Sequence, residues 1–324
     1  MTADTQGPVL VTGASSGIGN HLVRHLASLD YTVFGTARKD DDLDRLAQIE
    51  NVVPVRMDVR DADQIAAARE LVAATGEGLY GLVHNAGIGP LGMFSTWTDA
   101  ELKDLFDINV FGVHRVTNAF LDLLLASDGR IVVIGSQGGM ITKKYFGPYT
   151  MTKHALEAYT VALDEELRRY GVRVSIVQPG GIVSEIGEKS IAGNVARFER
   201  ARPPFRKEAE LVLRFLTAPP PEDDGPESES NRKPSPPEIV AVAVDDALFA
   251  EVPKRRYLVG TQWEGDRVLN GLIERLLDEN DCPSHGYGRD ELVEMLDRHI
   301  AARDRAPSDT EGRSAYDPPR EWMT

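Results

Sequence analysis

The sequence predicts an α/β protein: a doubly wound parallel sheet with helices on both faces and a small C-terminal helical region that covers the substrate. Three observations carry this. Up to Gly181, short β-branched apolar runs alternate with longer segments of helical period, the pattern of a parallel sheet buried on both faces. A glycine-rich turn follows the first run and opens the first helix, where such sheets bind ligands. Beyond Gly181 the alternation stops and helical segments dominate.

The expected strands are Val9 to Val11, Thr32 to Thr36, Val52 to Met57, Leu79 to Val83, Arg130 to Ile134, Arg173 to Val177 and, later, Arg256 to Val259. Helices are expected over Ile18 to Ser28, Asp61 to Ala74, Asp99 to Leu125 and Tyr149 to Arg169. Thr98 and Glu101 fit a capping box at the start of the third of these. Further helices follow at Ile186 to Arg200, Lys207 to Leu216, Pro237 to Ala250, Gln262 to Leu277 and Arg289 to Ile300. The stretch Ala218 to Pro237 is rich in Pro, Glu, Asp and Ser and has too little apolar surface to offset its ordering entropy, so it reads as a flexible insertion outside the active site. Arg303 to Thr324 reads as a polar, poorly ordered tail. Residues 1–262 are expected to form one catalytic domain with a lid at 184–216, and 263–324 a helical extension.

Composition removes several functions. With 36 Lys and Arg against 51 Asp and Glu, the 324-residue chain has a formal charge of −15, which disfavours nucleic acid and anionic membrane surfaces. No apolar run approaches the roughly 18 residues of a membrane span. Met1 to Pro8 has no secretory pattern. The single Cys282 excludes an internal disulfide, and seven scattered histidines offer no obvious zinc site. A cytoplasmic, metal-free protein is the expectation.

The chemistry concentrates at strand ends. In the run Thr12, Gly13, Ala14, Ser15, Ser16, Gly17, Ile18, Gly19, Gly13 permits a tight turn, Gly17 admits a pyrophosphate and Gly19 lets the helix pack closely, while the helix amino terminus faces the phosphates. After the second strand, Ala37 offers no carboxylate for a free ribose and Arg38 offers a cation for a 2′-phosphate, which favours NADP(H) over NAD(H). A solvated arginine beside Lys39 fits the same residues, and the acidic run Asp40 to Asp42 weighs against a phosphate. Asp58 and Val59 are placed to meet an adenine ring, although Asp58 equally suits an ordinary turn. Asn85, Ala86 and Gly87 end the fourth strand with small residues against which a cofactor could lie.

Tyr149 and Lys153 stand four residues apart, on one helical face. A phenol near pKa 10 is a poor base at neutral pH; a cation about 4 Å away at an effective dielectric near 20 contributes about 4 kcal/mol, enough to bring it to roughly 7 before solvent screening. Tyr149 could then serve as general acid or base. With nine tyrosines in the chain, this spacing alone is weak. Ser136 adds independent support as a hydroxyl at a strand's carboxyl end, placed to hydrogen-bond the reacting oxygen. Asn109 is a polar residue in an apolar helix, where an amide either kinks the helix through a bound water and relays protons towards Lys153 or is simply a satisfied buried group.

Together these residues resemble the short-chain dehydrogenase/reductase family in its compact form, over Pro8 to Gly260. The resemblance implies a Rossmann-type fold, a phosphate turn at Gly13, Gly17 and Gly19, a strand-four turn at Asn85, and a catalytic tetrad of Asn109, Ser136, Tyr149 and Lys153, with Lys153 also binding the nicotinamide ribose. Gln178, Pro179, Gly180, Gly181, Ile182, Val183 and Ser184 are similar to the family's nicotinamide-binding stretch, with the Ile182 backbone meeting the carboxamide. Ser184 stands where threonine is usual, and His84 where asparagine is common. Phe146-Gly-Pro-Tyr, Lys153-His-Ala-Leu-Glu-Ala-Tyr and Pro253-Lys-Arg-Arg-Tyr-Leu-Val-Gly resemble the retinol and hydroxysteroid dehydrogenase branch.

The function expected is interconversion of an alcohol and its carbonyl with NADP(H), on a small lipophilic alcohol or ketone suited to the apolar residues of 184–216. A silent NADP(H)-sensing binding protein and a lyase or epimerase using a transient hydride are the alternatives; the intact tetrad weighs against the first. A homodimer or tetramer is a family expectation.

Overall fold

Successive residues of a strand face opposite sides of a sheet, and here both sides are apolar. In β1 (Val9–Val11), Val9 and Val11 join one apolar cluster and Leu10 the other. The same alternation runs through β5 (Arg130–Ile134), with Val132 and Ile134 on one side and Ile131 and Val133 on the opposite side. This is the computed structural model of the chain, which describes residues 7–183, 186–217, 225–229 and 231–305.

The remaining strands are β2 (Val33–Ala37), β3 (Val52–Arg56), β4 (Gly81–His84), β6 (Arg173–Pro179) and β7 (Arg256–Val259). They form one seven-stranded sheet in the order β3-β2-β1-β4-β5-β6-β7, and every pair is parallel. The order reverses between β1 and β4, where Val9 lies between Val33 and Gly81. A crevice therefore opens beyond the carboxyl ends of these two strands.

The helices are α1 (Gly17–Ser28), α2 (Asp40–Leu46), α3 (Ala62–Ala73), α4 (Asp99–Phe106), α5 (Gly112–Ala126), α6 (Gly147–Leu167), α7 (Ile186–Glu199), α8 (Arg206–Thr217), α9 (Glu238–Phe249), α10 (Gln262–Asn280) and α11 (Arg289–Arg305). Leu22, Val23 and Leu26 of α1 and Val240, Val244 and Leu248 of α9 cover one face of the sheet. Ile65 and Val72 of α3, Val116, Phe120 and Leu124 of α5, and Leu156 of α6 cover the other.

Two differences from the sequence expectation have physical causes. α2 was not anticipated: its first turn is Asp40, Asp41 and Asp42, an acidic run that favours a helix amino terminus but carries no apolar period. The single helix expected over Asp99 to Leu125 is instead α4, a π turn at Asp107–Phe111, and α5. The Thr98 capping box does form, with Thr98 Oγ1 accepting the Glu101 N–H at 3.2 Å and the Glu101 carboxylate accepting the Thr98 N–H at 3.0 Å.

Two buried carboxylates fix α6 against β6 and β7. Glu157 accepts Gln178 Nε2 at 2.7 Å and Arg256 Nε at 3.0 Å. Asp164 accepts the Val174 N–H at 3.1 Å and Arg255 Nε at 3.0 Å. Gln178, Val174 and Arg256 belong to the strands and Arg255 directly precedes β7, so the helix carrying Tyr149 and Lys153 is held in register by charge-assisted bonds as well as by packing.

Residues up to Val268 form one compact unit and those from Leu269 a second. Among the described residues, no helix is long and apolar enough to cross a membrane. The tail beyond residue 305 lies outside the described residues.

Phe120 is fully buried between α5 and the sheet. Phe120→Ala should lower unfolding free energy by about 3 to 5 kcal/mol, read from the denaturant midpoint, whereas Leu125→Ala, at a position 38% exposed, should change it by about 0.5 kcal/mol or less.

Candidate active site

Thr12 ties together the two strand ends at the crevice. Its Oγ1 accepts the backbone N–H of Asn85 and of Ala86, each at 3.0 Å, and donates to the Val83 carbonyl at 3.3 Å. Asn85 returns the connection, its Nδ2 donating to the carbonyls of Thr12 at 2.9 Å and Gly13 at 3.0 Å. The Gly13 N–H donates to Thr36 Oγ1 at 3.1 Å, adding the end of β2.

The glycines of this turn are required by geometry. Gly13 has φ +66°, and a Cβ there would lie 2.9 Å from Ala86 Cα. A Cβ on Gly19 would collide with the Gly13 carbonyl and with Asn85 Nδ2. The Ser16 side chain makes no capping bond to α1, whereas Asp61 and Thr98 cap α3 and α4. A 12-residue helix without a side-chain cap, reached through a tight glycine turn, fits a pyrophosphate. His84, in place of the family's common asparagine, points into the core: its Nε2 lies 2.8 Å from Thr117 Oγ1, and burial pushes its pKa down to about 3, so it is neutral.

At the end of β2, Arg38 is exposed, its Nη1 3.7 Å from Asp58 Oδ2. Arg60 reaches the same carboxylate, with Nη2 2.9 Å from Oδ2. Hydrogen bonding from Arg60, opposed by burial, brings the Asp58 carboxyl down to about 2. Arg56 donates to the Arg38 carbonyl at 2.8 Å and pairs with Asp40. The acidic run that weighed against a phosphate is thus partly neutralised, and Arg60 is a cation the sequence reading overlooked. Asp58, Arg60, Asp61, Ala62 and Gln64 line an open depression here. Val59 is buried, and a Cβ on Gly112 would lie 2.7 Å from its Cγ2, so its side chain packs the core and leaves its backbone for an adenine contact.

At the end of β5, Ser136 heads the turn Gln137–Gly139, its Oγ accepting the Gly138 N–H at 3.0 Å. The Ser136 hydroxyl and the Tyr149 phenol are neighbours, since a Cβ on Gly138 would lie 3.3 Å from Ser136 Oγ and 3.6 Å from Tyr149 Cε1; burial pushes the phenol pKa up, and Ser136 offsets only part of the rise. Burial brings the Lys153 ammonium down to about 8. Its Nζ donates to the Ile134 carbonyl at 2.8 Å and lies 5.7 Å from the Tyr149 ring centre. The lowering of the phenol argued from sequence spacing is therefore reversed. Desolvation exceeds the attraction because Lys153 is directed at a carbonyl, and Tyr149 stays a neutral acid at pH 7.

Asn109 sits in the π turn, fully bonded. Its Oδ1 accepts the Ile88 N–H at 2.9 Å, and its Nδ2 donates to the Ile88 carbonyl at 2.9 Å and to Thr152 Oγ1 at 3.1 Å. The side-chain amide is thus satisfied within the protein, and the helix is irregular at this residue, as the sequence reading expected. The amide holds the segment that passes over Tyr149, where a Cβ on Gly89 would lie 3.6 Å from the ring.

The stretch after β6 is held by residues that the sequence did not single out. The Gly180 N–H donates to the Val259 carbonyl at 2.8 Å and the Gly181 N–H to Glu264 Oε1 at 2.8 Å. Ser235 accepts from the Val183 N–H at 2.9 Å and donates to the Gly181 carbonyl at 2.7 Å. Residues 231–235, expected to belong to a flexible insertion away from the site, therefore join it; residues 218–224, residue 230 and Ser184 lie outside the described residues. α7 and α8 dock on loops beside Tyr149: Asn194 Oδ1 accepts the Leu91 N–H at 2.8 Å, and Glu208 pairs with Lys144 and Tyr145. Phe198 is buried with Met93, Ala201 and Ala209, whereas Ile191, Phe205, Leu211 and Phe215 are exposed. Among the described residues no cluster suits a metal ion.

Residues 8–194 match the family model described as short chain dehydrogenase. The chain belongs to the short-chain dehydrogenase family. This dehydrogenase is 33% identical over 277 residues to the uncharacterised oxidoreductase YbbO of Escherichia coli strain K12, covering 85% of this chain and 93% of that protein. It is 32% identical over 282 residues to an NADPH-dependent 3-dehydrocapnine reductase of Ornithobacterium rhinotracheale, covering 83% and 94%. Among solved structures it is similar to a short-chain dehydrogenase of Streptomyces avermitilis, with a TM-score of 0.67 and 26% identity over 93% of this chain and 98% of that one. The doubly wound architecture is that of the family, whose members bind NAD or NADP.

A side chain at Gly19 has no room, while Gly265 in α10 has nothing within 4 Å of a built Cβ. Gly19→Ala should destabilise by about 1 to 3 kcal/mol, and Gly265→Ala should be neutral or stabilising by up to about 1 kcal/mol. Paired thermal melts give the comparison.

Proposed function

We propose that the protein is an NADP(H)-dependent oxidoreductase that interconverts a lipophilic alcohol and its carbonyl, with Tyr149 as the proton donor and acceptor. The observation that carries this reading is the Ser136 hydroxyl beside the Tyr149 phenol, with the buried Lys153 one helical turn further along α6, at the strands' carboxyl ends. Gly13, Ser15, Ser16, Gly17, Ile18 and Gly19 hold the pyrophosphate, and Asn85, Ala86 and Gly87 flank the cofactor. Asp58 and the Val59 backbone meet the adenine. Pro179, Gly180 and Ile182 line the nicotinamide end.

When bound, the nicotinamide supplies or accepts the hydride. Tyr149, a neutral phenol at pH 7, donates its proton to the carbonyl oxygen during reduction, and in the oxidative direction takes the proton back. Ser136 hydrogen-bonds the same oxygen and orients it. Lys153 turns from the Ile134 carbonyl to the ribose hydroxyls, a move available because its present partner is a single carbonyl. Asn109 positions the segment over the tyrosine ring.

NADP(H) is favoured over NAD(H) because Arg38 and Arg60 converge on Asp58 at the adenosine end, and an incoming 2′-phosphate meets two guanidinium groups. The reductase relative's NADPH dependence agrees with this. The exposed Ile191, Phe205, Leu211 and Phe215 of the lid region suit a lipophilic substrate, each buried methylene contributing about 0.8 kcal/mol.

NADPH consumption on a panel of ketones of increasing apolar size tests the reading directly: kcat/KM should rise along the series, and preference for small polyols or carboxylates would refute the lipophilic substrate. Tyr149→Phe should lower kcat by about 10² to 10⁴ with the cofactor Kd nearly unchanged; retained turnover would remove the mechanism. Arg38→Ala should weaken NADPH binding by about 1.5 to 3 kcal/mol, at the lower end because Arg38 is exposed, and NADH binding much less. Lys153 has a native value of about 8, so the ammonium that serves the ribose is lost as pH rises through 8. Cofactor affinity should fall over that range, and Lys153→Met should flatten the profile. Between about 8 and 10.5 the unfolded chain holds this proton and the folded chain does not, so stability of the cofactor-free protein gains from this group as pH rises.

A further inference from the structure

Glu264 is a buried carboxylate that the proposed chemistry leaves without a task. It is 1% exposed, in the first turn of α10. Part of its role is local: its N–H donates to Thr261 Oγ1 at 3.2 Å and its Oε2 accepts the Thr261 N–H at 3.4 Å, a capping box. A cap at a helix start needs no burial. Here Oε1 also accepts the Gly181 N–H at 2.8 Å and pairs with Arg232. A Cβ on Gly180 or on Gly260 would run into this carboxylate, so the chain carries glycine on both sides of it.

A carboxylate so buried keeps its charge only with a counter-charge beside it, and Arg232 supplies it. Arg232 comes from the segment whose Ser235 is bonded to Gly181 and Val183. Its guanidinium lies 5.8 Å from the Trp263 ring centre; Arg267 lies over the same ring at 5.3 Å. Arg267 Nη2 in turn donates to Gln137 Oε1 at 3.1 Å, and Gln137 Nε2 to the Val259 carbonyl at 3.2 Å. Gln137 is the residue after Ser136. One connected set of bonds therefore joins the turn after β6 to the loop that carries the serine.

We propose that Glu264 and Arg232 are positioning residues that set the Pro179–Ile182 turn, Glu264 by fixing the Gly181 amide and Arg232 by holding the Glu264 carboxylate in place. The functional consequence rests on the reading of that turn as the nicotinamide end. Removing Arg232 leaves the carboxylate buried without its partner; it is then free to swing towards solvent, and Gly181 loses its fixed acceptor. A loosened turn binds the cofactor less well and presents it to Tyr149 in more than one pose, so KM for the cofactor and kcat move together.

Amide hydrogen exchange on the cofactor-free full chain tests the clamp independently of cofactor. Arg232→Met should speed exchange of the Gly181 and Val183 amides at least tenfold, Arg232→Lys should restore most of the protection, and Glu264→Gln, which keeps an acceptor for Gly181 but no charge, should fall between. With NADPH, Arg232→Met should raise the cofactor KM and lower kcat, each about tenfold, with partial rescue by Arg232→Lys. Wild-type exchange at both amides in Arg232→Met overturns the proposal; if that variant does not fold, wild-type exchange in Glu264→Gln does so. Faster exchange combined with unchanged KM and kcat overturns the positioning role. If the wild-type chain binds no dinucleotide while exchange responds as stated, the clamp stands and the assignment of the turn to nicotinamide fails.

Discussion

A parallel sheet that sends its helices to opposite faces must split at one point, and the backbone groups exposed by the split need partners. Between β1 and β4 the Thr12 hydroxyl and the Asn85 amide supply them, with five hydrogen bonds between the two residues and their neighbours. The rest of the site depends on this closure. It fixes where the turn before α1 points, how close Gly19 comes to Gly13, and where the segment after β4 leaves to pass over Tyr149. Buried donors and acceptors satisfied this fully make a rigid floor, on which mobile elements such as a lid can work without disturbing the phosphate end.

Burial acts on the reacting groups in one direction. It raises the Tyr149 phenol and lowers the Lys153 ammonium, favouring the uncharged form of each. At pH 7 the phenol is neutral while the ammonium, at about 8, still carries its charge, so the centre of the crevice holds one positive charge. Further charged groups lie at its two ends, with Arg38, Arg56 and Arg60 at the ends of β2 and β3 and Arg232, Glu264 and Arg267 near the turn after β6.

The strands were legible because parallel strands buried on both faces are unbroken apolar runs; β1 and β5 lie where the runs do, and the edge strand β7, alternately exposed and buried, also falls where expected. Strand ends were less so: β4 begins at Gly81, two residues inside its run, since Gly81 is where β1 and Leu248 approach closely. The motif residues at strand ends were legible for the same reason that glycine and hydroxyl residues stand out after apolar runs. Arg60 and Arg232 were not, because an arginine beside acidic residues looks the same whether it faces water or a carboxylate across a crevice. Glu264 had left a trace: Thr261 and Glu264 have the capping-box spacing before an apolar helix. The spacing gave the helix start but not the partner, Gly181, which is 83 residues away in the chain. The phenol's direction was misjudged because spacing places two side chains on one face but not their termini, and the Ile134 carbonyl claims the ammonium.

The π turn at Asp107–Phe111 changes the phase of the helix that contains it. Each residue of an α-helix advances about 100°, and a π turn accommodates one extra residue without breaking the rod. Deleting any one residue of the turn would restore a regular helix and rotate everything after it by that angle. Val113, Val116, Phe120 and Leu124, which now face the sheet, would leave it, while Leu105 ahead of the turn would stay. The extra residue thus works as a frame-shift in rotation: one segment can obey the packing of α4 at its start and of α5 at its end, with the mismatch gathered at Asn109.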